Sequence, residues 1–239
     1  MNHHFDALVD DLRASHGSNL VSVILYGSAA AGDFVPRMSD YNILVALNAI
    51  GPDDLRKAHA CVREWAKLGN PIPVYFTVSE LKNGADVFPI EFDQMRQARR
   101  VLFGPDLLGE IEISEKFLRL QAEFELRSKL LQLRRQYIPA SSSVEKLTGL
   151  MASSLSSFAA LFRAVLKVYG IEPPVTKREV VAMTAQTIGI DGTPFEKIFN
   201  IRKDNFALEL DEAAANALFG EYLIEIEKVI DAVDRSKKD

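Results

Sequence analysis

Two kinds of hydrophobic periodicity divide this chain, and the point where one replaces the other limits the fold more than any single residue does. Up to about Gly104, short apolar runs of strand length alternate with turn residues; from Ser114 onward, apolar residues recur every three or four positions and strand signals almost vanish. Val21 to Tyr26 (VSVILY), Tyr41 to Leu47 (YNILVAL) and Pro73 to Val78 (PVYFTV) are β-branched, largely apolar runs that read as buried strands. Phe88 to Asp93 and Arg100 to Phe103 are expected as short further strands. Helices are expected over Phe5 to Ala14 and Asp53 to Lys67, the second opening on Pro52 and an acidic pair.

In the second half, Phe117, Leu120, Phe124 and Leu131 predict the core face of a helix running to about Tyr137. Val144, Leu147, Met151, Leu155, Phe158, Phe162, Val165 and Tyr169 mark a second helix, and Leu218, Tyr222, Ile226, Val229 and Val233 a last one. The fold class this implies is α+β: a mixed sheet with flanking helices in residues 1–110, then an all-α bundle in residues 111–239. There is no internal repeat.

The formal net charge of −5 offers nucleic acid or an anionic membrane no global attraction, so a phosphate site must be local. Cys61 is the single cysteine, which excludes an intrachain disulfide and a cysteine zinc site. His3, His4, His16 and His59 share no metal-binding spacing. No run approaches the ~20 uninterrupted apolar residues of a membrane span, and the acidic start lacks the pattern of a signal peptide. A cytoplasmic protein without a membrane partner is therefore expected.

Chemistry concentrates in Leu25 to Val45, LYGSAAAGDFVPRMSDYNILV. A buried strand runs into Gly27-Ser28, where a glycine lets a phosphate approach the backbone and a hydroxyl with neighbouring N–H groups can hold its oxygens. Ser39-Asp40 opens the next strand, and positions 40 and 42 of an extended chain share a face. Two carboxylates there would hold divalent metal against those phosphates. GSAAAGD lacks the G-x-G-x-x-G fingerprint of a dinucleotide-binding turn.

Taken together, Gly27-Ser28, Gly32, Ser39-Asp40 and the run Ile43-Leu44-Val45 resemble the signature of the polymerase-β-like nucleotidyltransferase superfamily. RVLFGPDLL, from Arg100 to Leu108, is similar to a segment of its bacterial members with small-molecule substrates. The helical half resembles, in character, the bundle of the aminoglycoside-nucleotidyltransferase branch. The resemblance implies transfer of a nucleoside monophosphate from a nucleoside triphosphate to a hydroxyl acceptor. Gly27 and Ser28 would bind the nucleotide, and Asp40 would be the catalytic carboxylate and a Mg²⁺ ligand.

Two residues depart from the pattern. The second carboxylate of the pair is Asn42, a weak neutral ligand. The strand that should carry a third acid, Pro73 to Val78, has none on either face. Glu80 follows that strand, while Glu91 and Asp93, two apart on a later segment, are candidates for the third metal ligand. The metal site therefore looks degenerate, and a non-catalytic relative that senses nucleotide or binds protein is the alternative reading. Arg96, Arg99 and Arg100, with Lys129, Arg134 and Arg135, either line an anion cleft or form a solvated helical face. The stripes on the long helices would serve a homodimer as well as a monomer's core.

Overall fold

The structure is a computed structural model that describes residues 3–31, 40–201 and 210–236. It divides into two compact units, Met1–Ser114 and Glu115–Asp239.

The first unit is built on a four-stranded sheet of β1 (Leu20–Tyr26), β2 (Asn42–Leu47), β3 (Val74–Thr77) and β4 (Arg99–Phe103), in the order β3-β2-β1-β4. β1 pairs antiparallel with both β2 and β4, whereas β2 and β3 run parallel, so the sheet is mixed. Alternation along β1 and β2 sends side chains to two covered faces. Val23, Leu25, Ile43, Val45 and Leu47 pack with α1 (His3–His16), and with Cys61 and Trp65 of the helical stretch before β3. Ile24, Leu44 and Ala46 pack with Leu81, Phe92, Met95 and Leu108 on the opposite face. Covering on both faces explains why these strands read as continuous apolar runs.

One-turn α2 (Ser28–Ala31) follows β1. The stretch expected as one helix from Asp53 is two, α3 (Pro52–Lys57) and α4 (His59–Lys67), joined at Ala58. α5 (Val78–Asn83) starts on a capping box in which the Glu80 N–H donates to Thr77 Oγ1 (3.0 Å) and the Thr77 N–H to Glu80 Oε2 (2.7 Å).

The strand expected over Phe88 to Asp93 does not form. These residues enter a helix, α6 (Pro89–Gln97), that buries Ile90, Phe92, Asp93 and Met95. Pro89 sits in the first helical turn, where its fixed φ and missing N–H cost nothing. The alternation Phe88, Ile90, Phe92 is a fragment of a wider helical face, an ambiguity short apolar runs always carry. The strand expected at Arg100 to Phe103 does form, as β4, and ends at Gly104. That glycine has φ +75°, and a Cβ on it would lie 2.0 Å from the Val21 carbonyl oxygen, so no other residue fits without moving β1.

The second unit contains α7 (Glu115–Ala140), α8 (Val144–Val168), α9 (Lys177–Ile188), α10 (Thr193–Ile201) and α11 (Glu212–Arg235), and its described residues include no strand. Ser143, Thr176 and Asp211 cap α8, α9 and α11 by accepting from the N–H groups of Lys146, Glu179 and Ala214. The helix α8 is central, with Leu147, Met151, Leu155, Phe158, Phe162 and Val165 buried as their spacing predicts. Phe162 and Tyr222 both meet Phe195 edge-on, with ring centroids 6.1 and 5.7 Å away. By length and composition α8 is apolar enough to cross a membrane, though its sequence contains no uninterrupted apolar run of spanning length. Here that apolarity forms the centre of the bundle.

The helix α7 inverts the expected arrangement. Leu118, Ala122, Leu126, Leu130 and Leu133 face the core. Phe117, Leu120, Phe124 and Leu131, expected there, are exposed. Both sets repeat at helical spacing, and the sequence cannot say which face the neighbouring helices cover.

Candidate functional site

The site expected from Leu25 to Val45 is set by the pairing of β1 with β2. Antiparallel register places Tyr26, the last residue of β1, opposite Asn42, the first of β2. The chain then turns at Gly27, whose φ of +84° favours glycine. The side chain of Asn42 fills the space beside it: a Cβ at position 27 would stand 3.3 Å from Asn42 Nδ2. The Gly27 N–H donates to the Ala98 carbonyl (2.8 Å) and its own carbonyl accepts from Ala30 (2.9 Å), which fastens the turn to the segment before β4. Ser28 begins the one-turn α2 directly after that turn.

Asp40 is exposed just ahead of β2, and Asn42 is half-buried. Asn42 has the parity of Leu44 and Ala46, so it projects toward the face covered by α5 and α6. Gly32 and Ser39, which belong to the signature, lie outside the described residues.

The two candidates for a third carboxylate lie on α6, not on a strand. Two apart on a helix, Glu91 and Asp93 point in different directions instead of forming one same-facing pair. Asp93 is 6% exposed and already engaged: Gln97 Nε2 donates to it at 3.0 Å and Arg96 Nη2 at 3.4 Å. Glu91 is exposed on the outer side. β3 carries Val74, Tyr75, Phe76 and Thr77, and Glu80 is committed to the cap of α5. Among the described residues no three His, Cys, Asp or Glu side chains gather as a metal site. Among the described residues at this turn, Asp40 is a carboxylate and Asn42 a neutral amide.

The basic residues separate by partner. Arg99 grips Asp106 through Nε and Nη2 at 2.9 and 2.8 Å, and this guanidinium holds the Asp106 carboxyl below its usual range. Arg96 reaches Asp93, Arg134 pairs with Glu227 (2.6 Å), and Arg100 lies over the Phe5 ring at 5.0 Å. Lys129 differs. It lines a cleft of about 160 Å³ between α7 and α8 with Gln132, Gln136, Ser153, Ser154 and Ser157. Ser154 bonds Tyr222 Oη (3.1 Å), while Ser153 and Ser157 are exposed.

Sequence reasoning also missed two buried polar groups of the sheet unit. The ring nitrogens of His16 and the Tyr75 hydroxyl are buried without a hydrogen-bond partner among the described residues, with ring centroids 6.0 Å apart. His16 occupies the last place in the stripe Phe5, Leu8, Leu12, His16, and only that position in an apolar series could have flagged it.

The sequence matches no protein-family profile and no curated protein. Among solved structures it is similar to spectinomycin adenyltransferase AAD(9) from Enterococcus faecialis, determined with ATP and spectinomycin. The TM-score is 0.57 at 11% identity, over 97% of this chain and 98% of that one. The fold is nucleotidyltransferase-like. Likeness at that identity concerns the path of the chain, and both halves of this protein take part in it.

Proposed function

We propose that this chain binds a nucleoside triphosphate at the Gly27-Ser28 turn and has lost most of the capacity to transfer its nucleoside monophosphate to a hydroxyl acceptor. The observation that carries the reading is Asn42 against Gly27: the turn keeps its geometry, while the side chain beside it is a neutral amide. The neighbour solved with ATP supports a nucleotide ligand for the fold, and the Gly27-Ser28 turn is where this chain offers it a backbone without a Cβ. Asp40 is the carboxylate available to a Mg²⁺ ion, with the Asn42 amide oxygen a neutral partner. Losing charged ligands from such a site costs several kcal/mol of transition-state stabilisation. A non-catalytic nucleotide sensor is the second reading, favoured by the acid-free β3.

Titration calorimetry with ATP, with and without Mg²⁺, should show measurable binding, and pyrophosphate release should be slow or absent. Asn42→Asp restores one charge and should raise metal affinity. Turnover should stay negligible, because Asp93 is held by Arg96 and Gln97. Fast Mg²⁺-dependent transfer by the unmodified chain, undiminished in Asp40→Ala, would refute the assignment of this site.

A further inference from the structure

The cleft between α7 and α8 gathers polar side chains that have little of their own chain to bind. Its wall on α7 is Lys129, Gln132 and Gln136, whose spacing of three and then four residues puts them on one face. The wall on α8 is Ser153, Ser154 and Ser157. Leu133 and Phe158, both buried, give it an apolar base. Two of the hydroxyls are fixed: Ser153 Oγ donates to the Leu150 carbonyl (3.1 Å) and Ser154 Oγ to that of Met151 (3.0 Å). With the Ser154 proton engaged there, the hydroxyl of fully buried Tyr222 is the donor in its 3.1 Å contact with Ser154 Oγ. The core of the bundle therefore holds one wall in place.

The remaining groups are not engaged. Among the described residues Lys129 makes no ion pair, and the side chains of Gln132, Gln136 and Ser157 make no hydrogen bond. Arg127 and Arg134, on either side of Lys129 along α7, bind Glu123 (2.9 Å) and Glu227 (2.6 Å). Lys129 is half-buried, so solvent screens its charge less than that of an exposed lysine. No acid lines the cleft, and an amino sugar or polyamine would bring ammonium groups against an ammonium. A lysine with amide and hydroxyl donors around it suits the oxygens of a phosphomonoester, and each glutamine amide both donates to and accepts from a hydroxyl. A volume of about 160 Å³ lies below the ~300 Å³ at which pockets for drug-sized ligands begin, so the ligand is small. We propose that this cleft binds a phosphorylated polyol of about one sugar ring, its phosphate on Lys129 and its hydroxyls among Gln132, Gln136 and Ser157. The site lies wholly in the helical unit and does not depend on a nucleotide at Gly27-Ser28.

Titration calorimetry of the full chain with glucose 6-phosphate, glucose 1-phosphate and ribose 5-phosphate tests the proposal. At least one should bind, with glucose, inorganic phosphate and glucosamine each weaker by ~10-fold or more. Lys129→Met, which removes the charge, and Ser157→Val, which fills the cleft, should each weaken that sugar phosphate by ~10-fold or more. Neither residue is in the core, so the far-UV spectrum and urea midpoint of both variants should match those of the unmodified chain. ATP binding should be unchanged in Lys129→Met, which separates this cleft from the Gly27-Ser28 turn. No heat with any of the three sugar phosphates, an affinity that survives both substitutions, or glucosamine or inorganic phosphate bound as tightly would each overturn it. So would loss of ATP binding in Lys129→Met, since the lysine would then serve the triphosphate.

Discussion

The helices α7 and α8 are of nearly equal length, 26 and 25 residues, and both are rich in apolar side chains. In α8 the stripe predicted by spacing is the buried one. In α7 the predicted stripe lies outside, and a second, interleaved stripe is buried. A helix with two apolar faces does not say which of them meets its own bundle. The large apolar side chains of α8, surrounded by α7, α9, α10 and α11, are buried or half-buried, while α7 packs on α8 and α11.

That contrast can be broken by substitution. Phe158→Ala, at the fully buried centre of α8, should cost about 3–5 kcal/mol of unfolding free energy in a denaturant titration. Leu126→Ala, on the inner face of α7, should cost about 2–5 kcal/mol by the same measurement; a neutral result would mean that the inner face had been misassigned.

A third helix adds a different case. α1 carries a polar residue, His16, on its buried face, and burial lowers the His16 pKa below its usual 6.5 against the attraction of Asp54, with Lys57 acting in the same direction as burial. The unfolded chain then takes up a proton near pH 6.5 that the folded chain refuses. The contribution of this group to stability is whole above that pH and declines as pH falls through it. Thermal unfolding should show a smaller effect than either core truncation, confined to acidic pH and absent in His16→Leu. The least effect should come from Phe124→Ala, within ~0.5 kcal/mol, because Phe124 is exposed. A loss comparable to Leu126→Ala there would show that the outer stripe of α7 supports the monomer.

Much of the sheet and its turn could be read from local pattern. β1, β2 and β3 stand where β-branched runs bounded by turns predicted them, because strands covered on both faces need continuous apolar side chains. Gly27 and Asn42 meet because Gly27 directly follows β1 and Asn42 opens β2, and both identities are written in the chain. Gly104 was visible only as the end of the first region; the lack of room there for a Cβ beside the Val21 carbonyl depends on β4 pairing with β1 across some eighty residues.

The third carboxylate could not be read in the same way. Glu91 and Asp93 looked like an alternating strand pair until Pro89 started a helix and Arg96 and Gln97 took the Asp93 oxygens. Local sequence decides which backbone conformation is cheap and which residues can face one another. Whether a carboxylate is spent on a neighbour, or a stripe on a core, depends on what other segments bring to it. Those interactions act between residues distant in the chain, so only the tertiary structure decided how Asp93 is bound and which face of α7 meets water.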